Sequence, residues 1–246
     1  ALALCLLGCC YAMMPPESAA TSVLATKRIL PVYSVEREDK KIAITFDCAW
    51  GTEHTDAILK ALEAEQVHAT FFMVEFWAEK YPEYVKKIDA AGHEIGTHSA
   101  THSQMSKLSE SEIRKELQTS SQAISSVTGK KVELFRPPFG DYDDLLVETA
   151  KSEGLYTIQW DVDSLDWKDY DAKTIFKRVT ESLQPGSIVL FHNAALHTPE
   201  ALPSILEFMQ QNGYTVVPIG QLIYTENYTI DHAGRQWPAR EEKTAS

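Results

Sequence analysis

Short apolar runs alternate with amphipathic stretches along the middle of the chain. Residues 41–46 are apolar and rich in β-branched side chains, as in a buried strand. After them, Ile58, Leu59 and Leu62 recur at helical spacing. Further strands are predicted over 69–74, 94–96, 132–135, 155–160, 187–191 and 214–217. Strands that alternate with helices in this way predict βα units around a parallel sheet.

Helix boundary signals fall between these strands. Ser109 followed by Glu112 is a capping box, and Gly129 is typical of a helix end. Thr198 caps a later helix, which we expect to end at Gly213. Further helices are predicted over 81–91, 143–153 and 175–183, with a short one near 221. With about seven βα units, the expected fold is α/β, an irregular (β/α) barrel of about seven parallel strands.

The two ends of the chain differ from this middle part. Residues 1–14 carry no charge and are typical of an export signal or a membrane anchor, and residues 6–9 loosely resemble a lipoprotein cleavage box. We interpret 15–39 as a linker and lead-in, 40–224 as one domain, and 225–246 as a polar, loose tail. The protein is therefore predicted to be a monomer outside the cytoplasm, secreted or held at the membrane by its N-terminal segment only.

Composition narrows the possible partners. The chain has 246 residues, of which 44% are hydrophobic, enough for one large domain with a sizeable core. Its formal net charge of −12 argues against a nucleic-acid partner and against a polybasic membrane patch, and a neutral or cationic substrate is tolerated better. Three of the four cysteines lie within residues 1–14, so Cys48 has no partner for an internal disulfide in the folded part.

Ionisable residues recur just past the predicted strand ends. His98 and His102 are spaced i and i+4, and a helical turn at that spacing would project both imidazoles toward one metal ion. Asp47, Arg136, Asp161 and His192 follow other strands in the same way. Because active sites of such barrels lie at the carboxyl ends of the strands, we expect these residues to meet there.

This set of side chains is suited to hydrolysis. Two imidazoles with an open coordination position suit a zinc-type ion that lowers the pKa of a bound water. A nearby carboxylate, at 47, 163 or 166, could take the proton of that water, and a separate histidine could protonate a leaving group. The sequence therefore predicts metal-assisted hydrolysis.

Five ordered motifs carry a family resemblance. They are Thr45-Phe46-Asp47, the segment His98 to His102, the segment Arg136 to Gly140, Asp166-Trp167 and Leu190-Phe191-His192. In this order they resemble the motifs of the polysaccharide deacetylases, the NodB homology domain of carbohydrate esterase family 4. The resemblance covers roughly residues 40–223. The sequence around Cys48, with the ending Ile230-Asp231-His232, is most similar to the sporulation-associated deacetylases of Gram-positive bacteria.

The resemblance implies roles for four catalytic side chains. Asp47 would be the general base that deprotonates the water, and Arg136 would hold it and keep it ionised. His192 would be the general acid that protonates the departing amine. Asp166 would orient His192 and stabilise its imidazolium form.

The resemblance also implies which residues bind the metal and the substrate. His98 and His102 would ligate a divalent metal, zinc in the first place and cobalt or nickel as alternatives. The backbone N–H of Phe139 would help to bind the oxyanion. Trp167 would form a wall of the sugar pocket, whereas Trp50 either lines a sugar subsite or fills the barrel.

The sequence departs from the family pattern at Cys48. Family members usually have a second aspartate there, which completes the metal site. A thiolate could replace it as a ligand, or Cys48 could be a small buried residue that contacts no metal. In the second case Glu53, His54, Asp56 or a water molecule could supply the replacement.

The resulting hypothesis is an N-deacetylase that acts on N-acetyl sugars of a cell-wall glycan, either peptidoglycan or a chitin-like polymer. A first alternative is a catalytically impaired protein that binds the wall or has a structural role. A second is an O-acetyl esterase or a small-amide hydrolase on the same fold.

Overall fold

The structure is a computed structural model that describes residues 28–239. The predicted leader at 1–14, the first part of the linker and the end of the polar tail lie outside the described residues. Within the described part of the chain, no helix has the length and apolar character needed to cross a membrane.

Eleven strands and eight α-helices occur in the described part. The strands are β1 Ser34–Val35, β2 Lys41–Cys48, β3 Thr70–Met73, β4 Glu94–Thr97, β5 Leu134–Phe135, β6 Tyr156–Thr157, β7 Val162–Asp163, β8 Ile188–His192, β9 Thr215–Val216, β10 Tyr228–Ile230 and β11 Arg235–Pro238. The helices are α1 Thr55–Ala64, α2 Glu75–Lys80, α3 Pro82–Ala90, α4 Glu110–Thr128, α5 Asp144–Ser152, α6 Ala172–Ser182, α7 Thr198–Gln211 and α8 Ile219–Leu222.

The main sheet is a parallel half-barrel. Its strands follow the order β6-β5-β4-β3-β2-β8-β7, and β9 adds to the beginning of β2. All these pairs are parallel. Only residues 158–161 connect the two edge strands β6 and β7, which curls the sheet because so short a segment spans at most about 15 Å. The prediction of a barrel of about seven parallel strands is confirmed, and the sheet forms a half-barrel.

Strand β2 is the centre of the sheet, and its side chains alternate between two environments. Ile42, Ile44 and Phe46 belong to the large core between the sheet and the helices. The intervening Thr45 and Asp47 face the interior of the half-barrel, where both contact the same arginine. The carboxyl end of β2 therefore delivers Asp47 to the open end of the barrel.

Several predicted helix signals are confirmed. Both hydrogen bonds of the capping box formed by Ser109 and Glu112 are present, and Gly129 ends α4 in a left-handed conformation. Helix α7 begins at Thr198, but its N-cap is His197, so the prediction that Thr198 is the cap is wrong by one residue. The sequence interpretation missed α2, whose six residues are too few to show a helical period.

The expectation of a loose polar tail is wrong for residues 228–238, because this part of the chain forms two strands. Strands β10 and β11 form an antiparallel hairpin, and β11 pairs in parallel with β1. The side chain of Gln236 is fully buried, accepts from Tyr224 N at 2.7 Å and donates to Tyr224 O at 2.6 Å. These strands lie outside the range 40–224 and join the lead-in to the end of the chain.

Candidate active site

A cavity of about 540 Å³ opens at the carboxyl ends of the parallel strands. Seven of the predicted site residues line it: Asp47, Trp50, His98, His102, Phe139, Trp167 and His192. Arg136 and Asp166 are fully buried and contact Asp47 and His192, respectively. The structure thus brings together side chains from across the sequence, as the motif order predicts.

Asp47 lies at the centre of this arrangement. It pairs in register with His192 on the neighbouring strand β8. One carboxylate oxygen accepts a hydrogen bond from Arg136 Nη1 at 2.9 Å, and the other lies 3.5 Å from His98 Nε2. Burial alone would raise the pKa of Asp47. The electrostatic effect of Arg136, and then of His98 and His192, outweighs burial and lowers that pKa. The carboxylate is therefore ionised and able to accept a proton.

Arg136 crosses the interior of the half-barrel. It follows β5 directly, and its guanidinium donates to Thr45 Oγ1 at 2.7 Å and to the main-chain oxygen of Gln159 at 3.1 Å as well as to Asp47. Its charged end lies 4.2 Å from the centre of the Phe72 ring. A buried cation needs a partner, and Asp47 supplies the opposite charge. The pair therefore fixes the position of the carboxylate.

His98 and His102, the candidate metal ligands, are connected by a loop, so the prediction of a helical turn is wrong. Ser99 and His102 have positive φ angles of 73° and 57°, and the ring centroids of His98 and His102 are 5.0 Å apart. His98 Nδ1 is 2.7 Å from Arg136 O, which assigns the proton to Nδ1 and leaves Nε2 as an acceptor. Burial lowers the pKa of both rings, to about 4 for His102. Both imidazoles are neutral, as metal ligands must be.

Glu116 of α4 organises this loop and was missed by the sequence interpretation. Its carboxylate accepts hydrogen bonds from Ala100 N at 2.9 Å, Thr101 N at 2.8 Å and Thr101 Oγ1 at 2.8 Å. In the sequence it is one glutamate on an amphipathic helix, with no signal that separates it from solvent-facing neighbours. Its role depends on how α4 packs against the loop.

His192 and Asp166 form a second buried pair. His192 Nδ1 is 2.7 Å from Asp166 Oδ1, and Asp166 Oδ2 accepts from His192 N at 2.8 Å and from Thr198 Oγ1 at 2.6 Å. Burial opposes protonation of His192, but the hydrogen bond and charge of Asp166 outweigh it, so the pKa of His192 is raised. Because Nδ1 is occupied, Nε2 is the ring nitrogen available to a ligand in the cavity.

Three aromatic side chains are exposed around the cavity. Trp50 is 62% exposed, Trp167 56% and Phe139 64%. Phe139 has a φ of 60°, and its ring centroid lies 4.6 Å from that of His102. Trp50 does not fill the barrel, because most of its surface is open to solvent. Exposed aromatic rings around a cavity are suited to stacking on the apolar faces of sugars.

Cys48 lies apart from this group. It is fully buried in the core between the sheet and the helices, one position past Asp47 and therefore on the opposite face of β2. Burial, and then the charge of Asp47, raises the pKa of its thiol well above the ordinary range. This placement favours the interpretation of Cys48 as a small core residue over that of a thiolate ligand.

The other candidate ligands are also distant or engaged elsewhere. Glu53, His54 and Asp56 do not line the cavity, and Asp56 pairs with Lys87. The expectation that Asp161 meets the site residues is wrong. Its carboxylate accepts from Ile188 N at 2.7 Å, so it lies at the beginning of β8, away from the end that carries His192.

The donor set fits a metal ion only in part. Two neutral imidazoles beside an ionised carboxylate are groups that zinc-type ions bind. Among residues 28–239, however, no group of three histidine, cysteine, aspartate or glutamate side chains could hold a metal. His98 and His102 can therefore supply two ligands, and weaker binding is expected than at a site with three protein ligands.

The fold is a (β/α) half-barrel in which two buried pairs, Arg136–Asp47 and Asp166–His192, meet at one cavity. A family model described as polysaccharide deacetylase matches residues 34–158. The chain belongs to this family.

Curated relatives carry deacetylase names. The chain is 31% identical over 189 residues to the peptidoglycan-N-acetylglucosamine deacetylase of Bacillus cereus, with 75% of this chain and 69% of the relative covered. It is 33% identical over 189 residues to the peptidoglycan-N-acetylmuramic acid deacetylase PdaC of Bacillus subtilis, with 77% and 40% covered. The chain thus spans less than half of the length of PdaC.

A solved structure points to a different possibility. The chain is 36% identical to a pseudoenzyme of carbohydrate esterase family 4 from Bacillus anthracis, with a TM-score of 0.75 and coverage of 78% of this chain and 68% of that one. The family therefore includes both proteins named as peptidoglycan deacetylases and a member named as a pseudoenzyme.

The His192–Asp166 pair predicts a pH dependence. In the metal-free protein the pKa of His192 should lie above its ordinary value of about 6.5, and Asp166→Asn should lower it because the largest contribution that opposes burial is then removed. A raised native pKa stabilises the fold below the pKa of the unfolded chain, and this contribution is lost as the pH rises through the native pKa. Titration of the ring proton resonances by NMR measures the pKa of His192 in both proteins, and a wild-type value at or below about 6.5 contradicts the prediction.

Glu116 predicts a local effect on the histidine loop. Glu116→Gln removes the charge that accepts three hydrogen bonds, so the amide protons of Ala100 and Thr101 should exchange roughly fivefold faster, as expected for a loss of about 1 kcal/mol. Glu110→Gln, on the exposed side of the same helix, is the matched control. Unchanged exchange at both amides would exclude a role for Glu116 in holding the loop.

Proposed function

We propose that the protein is a metal-dependent N-deacetylase that removes acetyl groups from N-acetyl sugars of cell-wall glycan. The observation that carries this proposal is the placement of Asp47 and His192 on neighbouring strands of one cavity, each fixed by its own buried partner. Amide hydrolysis requires a group that takes a proton from water and another that gives a proton to the amine. Asp47 and His192 supply these two groups.

Asp47 acts as the base. It takes a proton from a water molecule as the water oxygen bonds to the acetyl carbon, and the carbonyl π electrons move to oxygen. Arg136 keeps the carboxylate ionised and in place before the reaction. Because the arginine is buried and held by Thr45 and Gln159, little reorganisation is needed in this step.

His192 acts as the acid. When the carbon–nitrogen bond breaks, it donates the Nε2 proton to the departing nitrogen, which leaves as the amine of the sugar, and acetate is the second product. Asp166 stabilises the imidazolium form beforehand, consistent with the raised pKa of His192. An amine needs this proton more than an alcohol does, which favours N-acetyl over O-acetyl substrates.

His98 and His102 would hold the divalent metal, with zinc the first candidate and cobalt or nickel alternatives. When bound, such an ion lowers the pKa of water and polarises a carbonyl oxygen. The backbone N–H of Phe139 contributes a hydrogen bond to the developing oxyanion. Trp50 and Trp167 flank the sugar.

Peptidoglycan is the proposed polymer because the names of the two curated relatives specify it. A wall substrate implies a location outside the cytoplasm, with secretion or tethering through the N-terminal segment. Similarity around Cys48 to sporulation-associated members supports a role in spore formation. We propose that the protein acts as a monomer.

A second candidate is a glycan-binding protein without turnover. It is favoured by the position of Cys48 in the core, which leaves two histidines as the protein ligands, and by the likeness to a family pseudoenzyme. Release of acetate from N-acetylglucosamine oligomers or peptidoglycan, measured with zinc or cobalt added, separates the two candidates. A parallel assay on O-acetylated glycan tests the esterase alternative.

Removal of either proton-transfer group should abolish most of the turnover. Asp47→Asn and His192→Ala should each lower acetate release by at least about 100-fold, because general acid and base catalysis contributes about 10²–10⁴-fold. Bound metal should change little in either variant.

Asp89→Asn provides the control, since it removes the same charge from the end of α3, where Asp89 pairs with Lys130. Circular dichroism should verify that each variant is folded. Wild-type rates in a folded Asp47 or His192 variant would refute that role.

Cys48→Ala distinguishes a core residue from a ligand. A core residue predicts unchanged zinc content and a decrease of about 1 kcal/mol in the free energy of unfolding, from the lost packing of the sulfur atom. Elemental analysis and urea unfolding measure the two quantities, with His102→Ala as the variant that should lose zinc. Loss of zinc from Cys48→Ala would identify the thiolate as a ligand.

A further inference from the structure

The loop between β2 and α1 carries Trp50 and is held at one main-chain oxygen. Trp77 of α2 donates from its indole Nε1 to Gly51 O at 2.7 Å, and Asn193 donates from Nδ2 to the same oxygen at 2.9 Å. A carbonyl oxygen has two lone pairs, and here both accept from buried side chains. The main chain directly after Trp50 is therefore fixed by two elements that are far apart in the sequence.

Asn193 directly follows His192 at the end of β8. Its main-chain N–H donates to Asp47 O at 3.2 Å, which continues the pairing of β8 with β2 by one residue. Its side chain is almost fully buried, and Nδ2 also lies 3.4 Å from Thr55 Oγ1 at the beginning of α1. The side chain thus joins the strand end that carries His192 to the loop that carries Trp50.

The backbone conformation of Gly51 depends on such contacts. Its φ of 56° is left-handed, a region that glycine adopts without strain. Glycine also has more backbone freedom to lose on folding than any other residue, so other contacts have to hold this conformation. The two hydrogen bonds to Gly51 O do so.

The position of the Trp50 ring depends on this loop. Most of the ring is exposed, so packing constrains it little. It contacts the ring of His102 edge-on, with 5.0 Å between the centroids and 66° between the planes. An aromatic ring that is already oriented binds a ligand more tightly, because less side-chain and loop freedom is lost on binding. The hydrogen bonds at Gly51 O therefore affect how well Trp50 can bind a sugar.

We propose that Asn193 is a positioning residue, which fixes Trp50 as a wall of the sugar cavity through the main-chain oxygen of Gly51. It lies one residue beyond the fifth motif and takes no part in the proton transfers assigned to Asp47 and His192. The inference rests on the proposed function for the nature of the ligand. The mobility of the Trp50 ring, however, can be measured without any ligand.

Asn193→Leu tests the inference through the Trp50 ring. Leucine has a similar size but cannot donate a hydrogen bond to Gly51 O. NMR measures the heteronuclear NOE of the tryptophan indole N–H groups, and Trp50→Phe identifies the signal of Trp50. This NOE should decrease in Asn193→Leu, because the ring gains motion on the picosecond-to-nanosecond timescale. The signal of Trp167, which lies on a separate loop, should stay unchanged.

Asn212→Leu is the matched control. Asn212 also donates its side-chain amide to a main-chain oxygen, Phe208 O at 2.8 Å, but it does so at the end of α7. The Trp50 signal should keep its wild-type NOE in this variant. Circular dichroism verifies folding, and Asn193→Ala replaces Asn193→Leu if the leucine variant does not fold. A Trp50 ring that is as rigid in a folded Asn193 variant as in the wild type overturns the inference.

A double-mutant cycle tests whether Asn193 acts on ligand binding through Trp50. The probe is a tetramer of N-acetylglucosamine, titrated by calorimetry with chelator present so that no turnover occurs. Asn193→Leu should weaken binding about fivefold, the effect of about one lost hydrogen bond. In a Trp50→Ala background the same change should weaken binding by less than about twofold, because the residue through which it acts is already absent.

Unchanged affinity of Asn193→Leu overturns the inference. An equal loss in both backgrounds also overturns it, because Asn193 would then act on the ligand without Trp50. Tetramer binding by the wild type without acetate release in the presence of zinc refutes the deacetylase activity alone. If the wild type does not bind the tetramer, the proposed substrate class is refuted, and the NOE of Trp50 decides the positioning role by itself.

Discussion

The ion pair between Arg136 and Asp47 is the interaction on which the site depends. A guanidinium in the interior of a half-barrel is costly unless its charge is compensated, and here the compensation comes from the side chain at the end of the central strand. The same arginine reaches Thr45 on β2 and Gln159 beyond β6, so it connects distant parts of the curled sheet. The same ion pair therefore stabilises the interior of the half-barrel and keeps Asp47 ionised.

Around that pair, main-chain atoms position the other side chains of the site. His98 is oriented by the main-chain oxygen of Arg136, and Asp166 is held by the main-chain nitrogen of His192 together with Thr198. The histidine loop is fixed by Glu116 from a neighbouring helix. These contacts attach the polar cluster to strand ends, to the beginning of α7 and to α4, so the fold itself fixes its geometry.

Cys48, the residue after Asp47, shows how one position can alter a site without altering the fold. Because side chains alternate along β2, Asp47 faces the cavity and Cys48 faces the helices. A cysteine is compatible with that apolar environment and an ionised aspartate is not. The Arg136–Asp47 and Asp166–His192 pairs are retained beside a buried Cys48, so the change at this position leaves the rest of the cavity in place.

The amino-acid sequence by itself determined the succession of βα units, the capping of α4 and the five motifs that contain Asp47, the two histidines of the loop and His192. These are local signals, since strand runs, caps and motif residues are read within a few positions. Tertiary structure alone decided the loop with left-handed residues that joins His98 to His102, the hydrogen bonds of Glu116, the distance of Asp161 from the site and the pairing of β11 with β1. Each of these depends on contacts between segments far apart in the chain, and strands of two to four residues are too short to show a period. The direction in which Cys48 points belongs to the same class, because it follows from the register of β2 against its neighbours.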